Sequence, residues 1–290
     1  MILAYGFSLD GPPKEREADN QDDFYFGEIG GGVYLAVVAD GVGSSKHSDV
    51  AANMAVMEVK NICEEGFGPG GEGCDFVDLL KNAFEQAELA IDKYALEKEH
   101  PISHYDTTLT AAIYDGKTVT YGHCGDGGII GLTTEGDYIK ITEPQKKEGI
   151  YVVPLRSRDE WEFGQLEDEF ASVLLATDGV YDVFFPYLLR ELPTPVHVPL
   201  AEYFMNNYGL KATKKRIQII EGERKAFLES PACASIADDK TIVVLINADV
   251  VPTRKEADFY AEPDWASLKN EWDERQEKWS KEQQKRWNEE

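Results

Sequence analysis

The chain has 290 residues, 42% of them hydrophobic, which is enough for a sizeable buried core and too apolar for wholesale disorder. Its 29 basic and 54 acidic side chains leave a formal charge of −25, which repels nucleic acid and anionic membrane and favours basic or metal-bearing partners. No run approaches the length of a membrane span, the first residues lack the basic start and apolar core of a signal peptide, and Cys63, Cys74, Cys124 and Cys233 lack zinc-type pair spacing, so a cytoplasmic protein with reduced thiols is expected.

In chain order, β-branched and aromatic runs bounded by Gly, Asp or Asn predict strands over 2–8, 24–28 and 33–39. Two helices follow. The first covers 48–64, with Val50, Met54, Met57 and Asn61 at helical spacing; the second covers 75–98, with Phe76, Leu79, Leu80, Ala83, Phe84, Ala87 and Ile91 on its apolar face. Strands are expected again over 106–114, 117–124, 128–133 and 137–141, with a two-residue hairpin turn at Asp115-Gly116. Asp10-Gly11, ahead of two prolines, also reads as a turn, and neither turn is assigned to a site. A strand over 171–177, helices over 179–190, 198–207 and 211–229, and a strand over 241–247 complete the first 250 residues.

Strands with helices inserted in pairs point to a layered α+β architecture. Residues 1–250 read as one domain and residues 251–290 as a charged helical tail. From Thr253 onward there are 8 basic and 11 acidic residues, and tryptophans at 265, 272, 279 and 287 fall seven, seven and eight apart, on one side of a helix. Burying each such ring is worth on the order of 2 kcal/mol, so the stripe should dock: on the preceding domain of its own chain, on a second copy, or on a kinase or adaptor partner.

Three acidic residues stand at strand ends. Asp40-Gly41-Val42-Gly43 follows the apolar run from Val33 to Ala39, Asp178-Gly179 follows Ser172 to Thr177, and Asp238-Asp239 precedes Thr241 to Ile246. In an antiparallel sheet the end of one strand lies beside the start of the next, so Asp40, Asp178 and Asp238 can meet at one rim. Carboxylates brought that close repel and share protons, and hard cations such as magnesium or manganese relieve this most simply. Asp-Gly alone, which occurs five times here, is a weak signal.

In order, Asn20-Gln21-Asp22, Asp40-Gly41-Val42-Gly43, Thr107-Thr108-Leu109-Thr110, Gly125-Asp126, Ala176-Thr177-Asp178-Gly179-Val180 and Asp238-Asp239-Lys240-Thr241 resemble the motifs of the metal-dependent serine/threonine protein phosphatases of type 2C, in a bacterial-looking form. The resemblance covers roughly residues 1–248. It implies a two-sheet antiparallel β-sandwich flanked by α-helices, here with a C-terminal helical extension. It also implies hydrolysis of phosphoserine and phosphothreonine in proteins by a water activated between two Mn2+ or Mg2+ ions. Carried over residue by residue, Asp40 matches the aspartate that bridges the two ions, the Gly41 carbonyl the adjoining ligand, and Asp178 and Asp238 the other carboxylate ligands. Asp22 matches an aspartate that holds metal-bound water, and Asp126 the position of a third, weaker metal site. The alternative is a catalytically weak relative that binds phosphorylated segments or a signalling partner.

Departures from the family pattern are specific. Gln21 stands where an acidic residue is usual, Ser44-Ser45 follow Gly43 where a third glycine is common, Asp239 replaces a frequent asparagine, and Asp106 stands where a glycine often precedes the two threonines. The residue that grips phosphate is Arg16, Lys14 or neither. His123, near Gly125-Asp126, reads as a packed strand histidine rather than a ligand, while a proton donor to the leaving group is a histidine or a metal-held water.

Overall fold

The long apolar runs pair into two antiparallel sheets, packed face to face with helices on both outer sides. A computed structural model describes residues 1–12, 20–67, 74–148, 150–205 and 213–289. Its strands are β1 (Ile2–Leu9), β2 (Asp22–Gly30), β3 (Val33–Asp40), β4 (Leu109–Tyr114), β5 (Val119–Cys124), β6 (Gly128–Thr133), β7 (Tyr138–Lys140), β8 (Lys146–Lys147), β9 (Tyr151–Val152), β10 (Glu162–Leu166), β11 (Phe170–Ala176) and β12 (Lys240–Asn247). Its helices are α1 (Ser48–Phe67), α2 (Phe76–Glu97), α3 (Asp178–Phe184), α4 (Val198–Met205), α5 (Lys214–Leu228) and α6 (Trp265–Glu289). One sheet runs β1-β12-β11-β6-β7, the other β10-β5-β4-β3-β2, and β8-β9 form a separate small hairpin.

Central strands are buried on both faces, which is why they read as continuous apolar runs rather than as alternation. On β3, Ala36 and Val38 meet Val173, Leu175, Val243 and Leu245 of the opposite sheet, while Leu35, Val37 and Ala39 face α1 and α2. On β12, Ile242, Val244 and Ile246 face the core formed with α3, α4 and α5. The expected sandwich flanked by helices is therefore the fold observed. Among the described residues no helix is long and apolar enough to cross a membrane.

Local differences from the sequence reading have identifiable causes. The most buried residues facing the core from α1 include Ala51, Ala52, Ala55, Val56, Val59 and Cys63; of the expected stripe, Val50 and Met54 pack partly buried against this core, while Met57 is 41% exposed and Asn61 faces solvent. Small alanines let α1 lie close against the sheet and α2, and a reading weighted toward large side chains places the stripe off the centre of the buried face. The expected helix over 179–190 stops at Phe184, because Pro186 cannot continue it and disfavours helical backbone at Phe185, leaving a single 3-10 turn at Tyr187–Leu189. The helix expected over 198–207 is observed to Met205, and its last two residues lie outside the described ones, as do the first residues of the helix expected over 211–229. Asp115-Gly116 opens a four-residue connection rather than a two-residue turn: Tyr114 pairs with Val119, and the Asp115 carboxylate accepts from the amides of Lys117 and Thr118 at 2.8 and 2.7 Å.

The tail begins its helix at Trp265 and docks on its own chain. The Trp265 ring meets His197 edge-on at 5.2 Å, Trp272 meets Tyr187 at 5.4 Å, and Arg275 pairs with Glu191 at 2.8 Å. Trp279 lies beyond this contact and is 60% exposed. The side chain of Trp287 falls outside the described ones. Trp272→Ala should therefore cost about 1–2 kcal/mol in denaturant unfolding, whereas Trp279→Ala should stay within about 0.5 kcal/mol. Equal effects from the two substitutions would contradict this docking.

Candidate metal centre

Five strand termini bring carboxylates to one end of the sandwich, where the two sheets meet. In the second sheet Asp22, the first residue of β2, is the direct partner of Asp40, the last residue of β3. In the first sheet, β11 runs out through Thr177 into Asp178, beside the Asp238-Asp239 entry to β12. Asp126 sits on the short crossing from β5 in one sheet to β6 in the other. Carboxylate oxygens of Asp40, Asp126 and Asp178 lie within 4.8 Å of one another. Asp238 lines the same cavity of ≈ 90 Å³, together with Gly41, Val42, Gly43, Thr108 and Val152.

The main chain at Asp40 is held from both sides. Its N–H donates to Thr108 Oγ1 at 2.9 Å, and its carbonyl accepts from the Thr108 amide at 2.8 Å and from Thr107 Oγ1 at 3.0 Å. Gly41 donates its N–H to the Gln21 carbonyl at 3.0 Å, and a Cβ there would stand 2.8 Å from that oxygen and 2.7 Å from the Ser48 carbonyl carbon. Gly179 is under the same constraint, since a Cβ would fall 2.1 Å from the Asp239 carbonyl oxygen. Backbones approach at both positions more closely than any side chain allows.

Thr177 joins the sheets. Its hydroxyl donates to Asp22 Oδ2 at 2.8 Å and accepts from the Thr241 amide at 3.2 Å. Asp239 performs a related task, one Oδ accepting from the Gly11 amide at 2.7 Å and the other from the Gln21 amide at 3.0 Å. An asparagine, with a single acceptor oxygen, would satisfy only one of these. The Asp10-Gly11 turn thus packs against the rim, although it carries no side chain into the cavity. Asp106 accepts both Nε and Nη2 of Arg156, and its carbonyl accepts from the Val42 amide at 3.0 Å.

Electrostatics follow from this crowding. Desolvation, then the charges of Asp22, Asp178 and Asp126, push Asp40 well above the usual carboxylate range. Desolvation likewise raises Asp22 to about 7 and Asp178 to about 6, against repulsion partners at Asp239 and Asp126 respectively, and raises Asp126 as well. Among the described residues, the buried atoms Asp22 Oδ1 and Asp178 Oδ1 have no hydrogen-bond partner. Unpartnered buried oxygens on mutually repelling carboxylates are the donor set of a hard divalent cation, and the residues present fit magnesium or manganese.

Lys146 is the basic side chain beside the carboxylates that sequence reasoning missed. It lies on β8, and its ammonium is 3.1 Å from Asp126 Oδ2. Desolvation works against its charge, but Asp126 outweighs this and raises its pKa. Lys146 also lines a neighbouring cavity with Lys140 and Arg190. The signal was the pair Lys146-Lys147 in a strongly acidic chain, within a two-residue strand too short to register as periodicity. Arg16 and Lys14 lie outside the described residues. His123 is fully buried, bonded through Nδ1 to Thr110 Oγ1 at 2.9 Å and through Nε2 to the Glu143 carbonyl at 3.2 Å, and desolvation lowers its pKa to about 4. It is a neutral packing residue.

Comparison with known proteins decides the family. A family model described as protein phosphatase 2C matches residues 14–213. The chain belongs to the protein phosphatase 2C family. Members are metal-dependent serine/threonine protein phosphatases, and the enzyme class expected from the motifs stands. Among solved structures, the catalytic domain of the serine/threonine phosphatase PstP in complex with two manganese ions is similar at a TM-score of 0.61 and 18% identity, over 84% of this chain and 97% of that one. Mycobacterium tuberculosis PstP/Ppp is similar at a TM-score of 0.56 and 18% identity, over 87% and 99%. Stp1 from Staphylococcus aureus is similar at 0.58 and 16%, over 85% and 95%. At these identities the likeness is one of fold. Compared by sequence with curated proteins, the chain has no significant match.

The raised carboxylate pKa values have a definite sign. Asp178 titrates near 6 and Asp22 near 7 in the fold, against 3.8 ordinarily, so the folded state holds protons that the unfolded state has released. The stability this provides is complete below 3.8 and is lost as pH rises through 6 and 7. Metal-free protein should therefore lose stability relative to its Asp178→Asn variant as pH goes from about 5 to about 8, and saturating Mn2+ should reverse the order in favour of the wild type. A wild-type-to-variant difference in melting temperature that is flat across that range would contradict the repulsion.

Proposed function

We propose that this phosphatase hydrolyses phosphoserine and phosphothreonine monoesters in proteins at the carboxylate cavity, using two Mn2+ or Mg2+ ions. The observation that carries the reading is the convergence of Asp40, Asp126 and Asp178 within 4.8 Å, with a buried Asp178 oxygen left unpartnered, in a chain of this family. When bound, such a pair of cations supplies an acidified water and neutralises phosphoryl oxygens.

In this reading Asp40, Asp178 and Asp238 hold the ions through their carboxylates and Gly41 through its main-chain carbonyl, while Asp126 provides a further, weaker position. Asp22, fixed by the Thr177 hydroxyl, orients the water through its unpartnered oxygen. Thr107 and Thr108, by pinning the Asp40 main chain, keep its carboxylate from swinging outward. Lys146, paired with Asp126 of that cavity, is the side chain we assign to the phosphate oxygens, supported by this contact and by the neighbouring cavity it lines with Lys140 and Arg190. A cytoplasmic location belongs to the same reading, supported by four unpaired cysteines. Exposed Trp279 is the part of the tail left for a kinase or adaptor partner.

Asp178→Asn preserves size and removes charge, so manganese binding should weaken and turnover of a phosphopeptide should fall by about two orders of magnitude or more while the fold stands. Lys146→Met should instead raise KM for the same substrate about tenfold, with a smaller effect on kcat. Calorimetric titration and steady-state kinetics with and without a chelator check both. Full activity and undiminished manganese binding in Asp178→Asn would sink the assignment.

A further inference from the structure

Three of the five histidines, His47, His100 and His104, gather where α1 begins, and each offers a ring nitrogen within 4.8 Å of the other two. The rings of His47 and His100 stack at 5.0 Å, and His104 lies 6.1 Å from each. His47 Nε2 and His104 Nδ1 are buried, with no hydrogen-bond partner among the described residues. That distinguishes them from His123, which satisfies both ring nitrogens within the core. Leaving a buried imidazole nitrogen unpartnered is unfavourable, and two of them side by side need an explanation.

The surroundings supply one. His100 Nδ1 is bonded to Tyr105 Oη at 2.8 Å, which fixes the ring and leaves Nε2 for a ligand, the usual way an outer partner orients a metal-binding imidazole. The His47 amide donates to the His104 carbonyl at 2.8 Å, so two of the three ligands are held together by main chain.

We propose that His47, His100 and His104 form a second metal site, separate from the carboxylates, that takes a borderline transition cation of the zinc class. Imidazole nitrogens suit zinc, copper and nickel and are poor ligands for magnesium, whereas the all-oxygen cavity suits magnesium and manganese. The two sites therefore sort cations by hardness. Three histidines leave a fourth position open to water. At zinc–nitrogen bonds of about 2.0–2.1 Å the three nitrogens would stand roughly 3.3 Å apart, so the rings must close slightly.

The site joins two segments that hold the acidic centre. His47 ends the loop that starts at Asp40-Gly41, and His104 shortly precedes Thr107 and Thr108, which pin the Asp40 main chain. A cation here ties these segments together and stabilises the fold by mass action.

The test uses the full chain in excess Mg2+, which fills the carboxylate cavity, with Zn2+ added by calorimetry and Co2+ followed by visible absorption. Wild type should bind one equivalent of Zn2+ and show the intense bands of low-coordinate Co2+. His100→Ala and His100→Gln, at an exposed position where circular dichroism reports the fold, should weaken zinc by roughly 100-fold or more. Asp178→Asn should keep the zinc equivalent. Absence of zinc binding in Mg2+, equal zinc affinity in folded His100 variants, or loss of zinc in Asp178→Asn alone would each overturn the proposal.

Discussion

Repulsion among carboxylates packed where two sheets meet is the constraint on which this molecule depends. Asp40, Asp126 and Asp178 crowd within 4.8 Å, and Asp22 is paired in register with Asp40. A fold selected for stability alone would not place them there, because each charge is desolvated and faces others of its sign. The hydrophobic layers on either side of both sheets hold the arrangement in place, and divalent cations turn its cost into affinity.

The shell around the carboxylates is built chiefly from main chain and short side chains. Thr107 and Thr108 fix Asp40, Thr177 links Asp22 to the start of β12, and Asp239 uses both oxygens on the amides of Gly11 and Gln21. Several departures from the family pattern find their reason here. Asp239 accepts two amides where an asparagine would accept one, and Asp106 is occupied by Arg156. Gln21, in place of an acidic residue, donates to Ser48 Oγ at 2.5 Å and so adds no further charge to the rim.

Much of this was legible in the sequence because the central strands are buried on both faces and announce themselves as apolar runs. The acidic residues at their ends follow directly, and antiparallel pairing brings them together. What was not legible has physical causes. Half of the α1 stripe is misplaced: Val50 and Met54 pack at the edge of the core, but alanines rather than Met57 and Asn61 fill the narrow space against the sheet. The strands β8, β9 and β10 escaped because two are only two residues long and the third carries Gly164, so none shows a usable period. Lys146 escaped with them. The histidine cluster was invisible for another reason: His47 is more than fifty residues from His100, and only packing of α1 against the loop after α2 brings them together.

Diffraction from crystals soaked in manganese, recorded at a wavelength where manganese scatters anomalously, addresses the role of the carboxylates most directly. Strong anomalous peaks should lie among Asp40, Asp126, Asp178 and Asp238, in contact with the Asp178 oxygen that has no partner among the described residues. Crystals at saturating manganese with no peak in that cavity, and with the four carboxylates unchanged in position, would contradict the conclusion that these residues are gathered to hold metal.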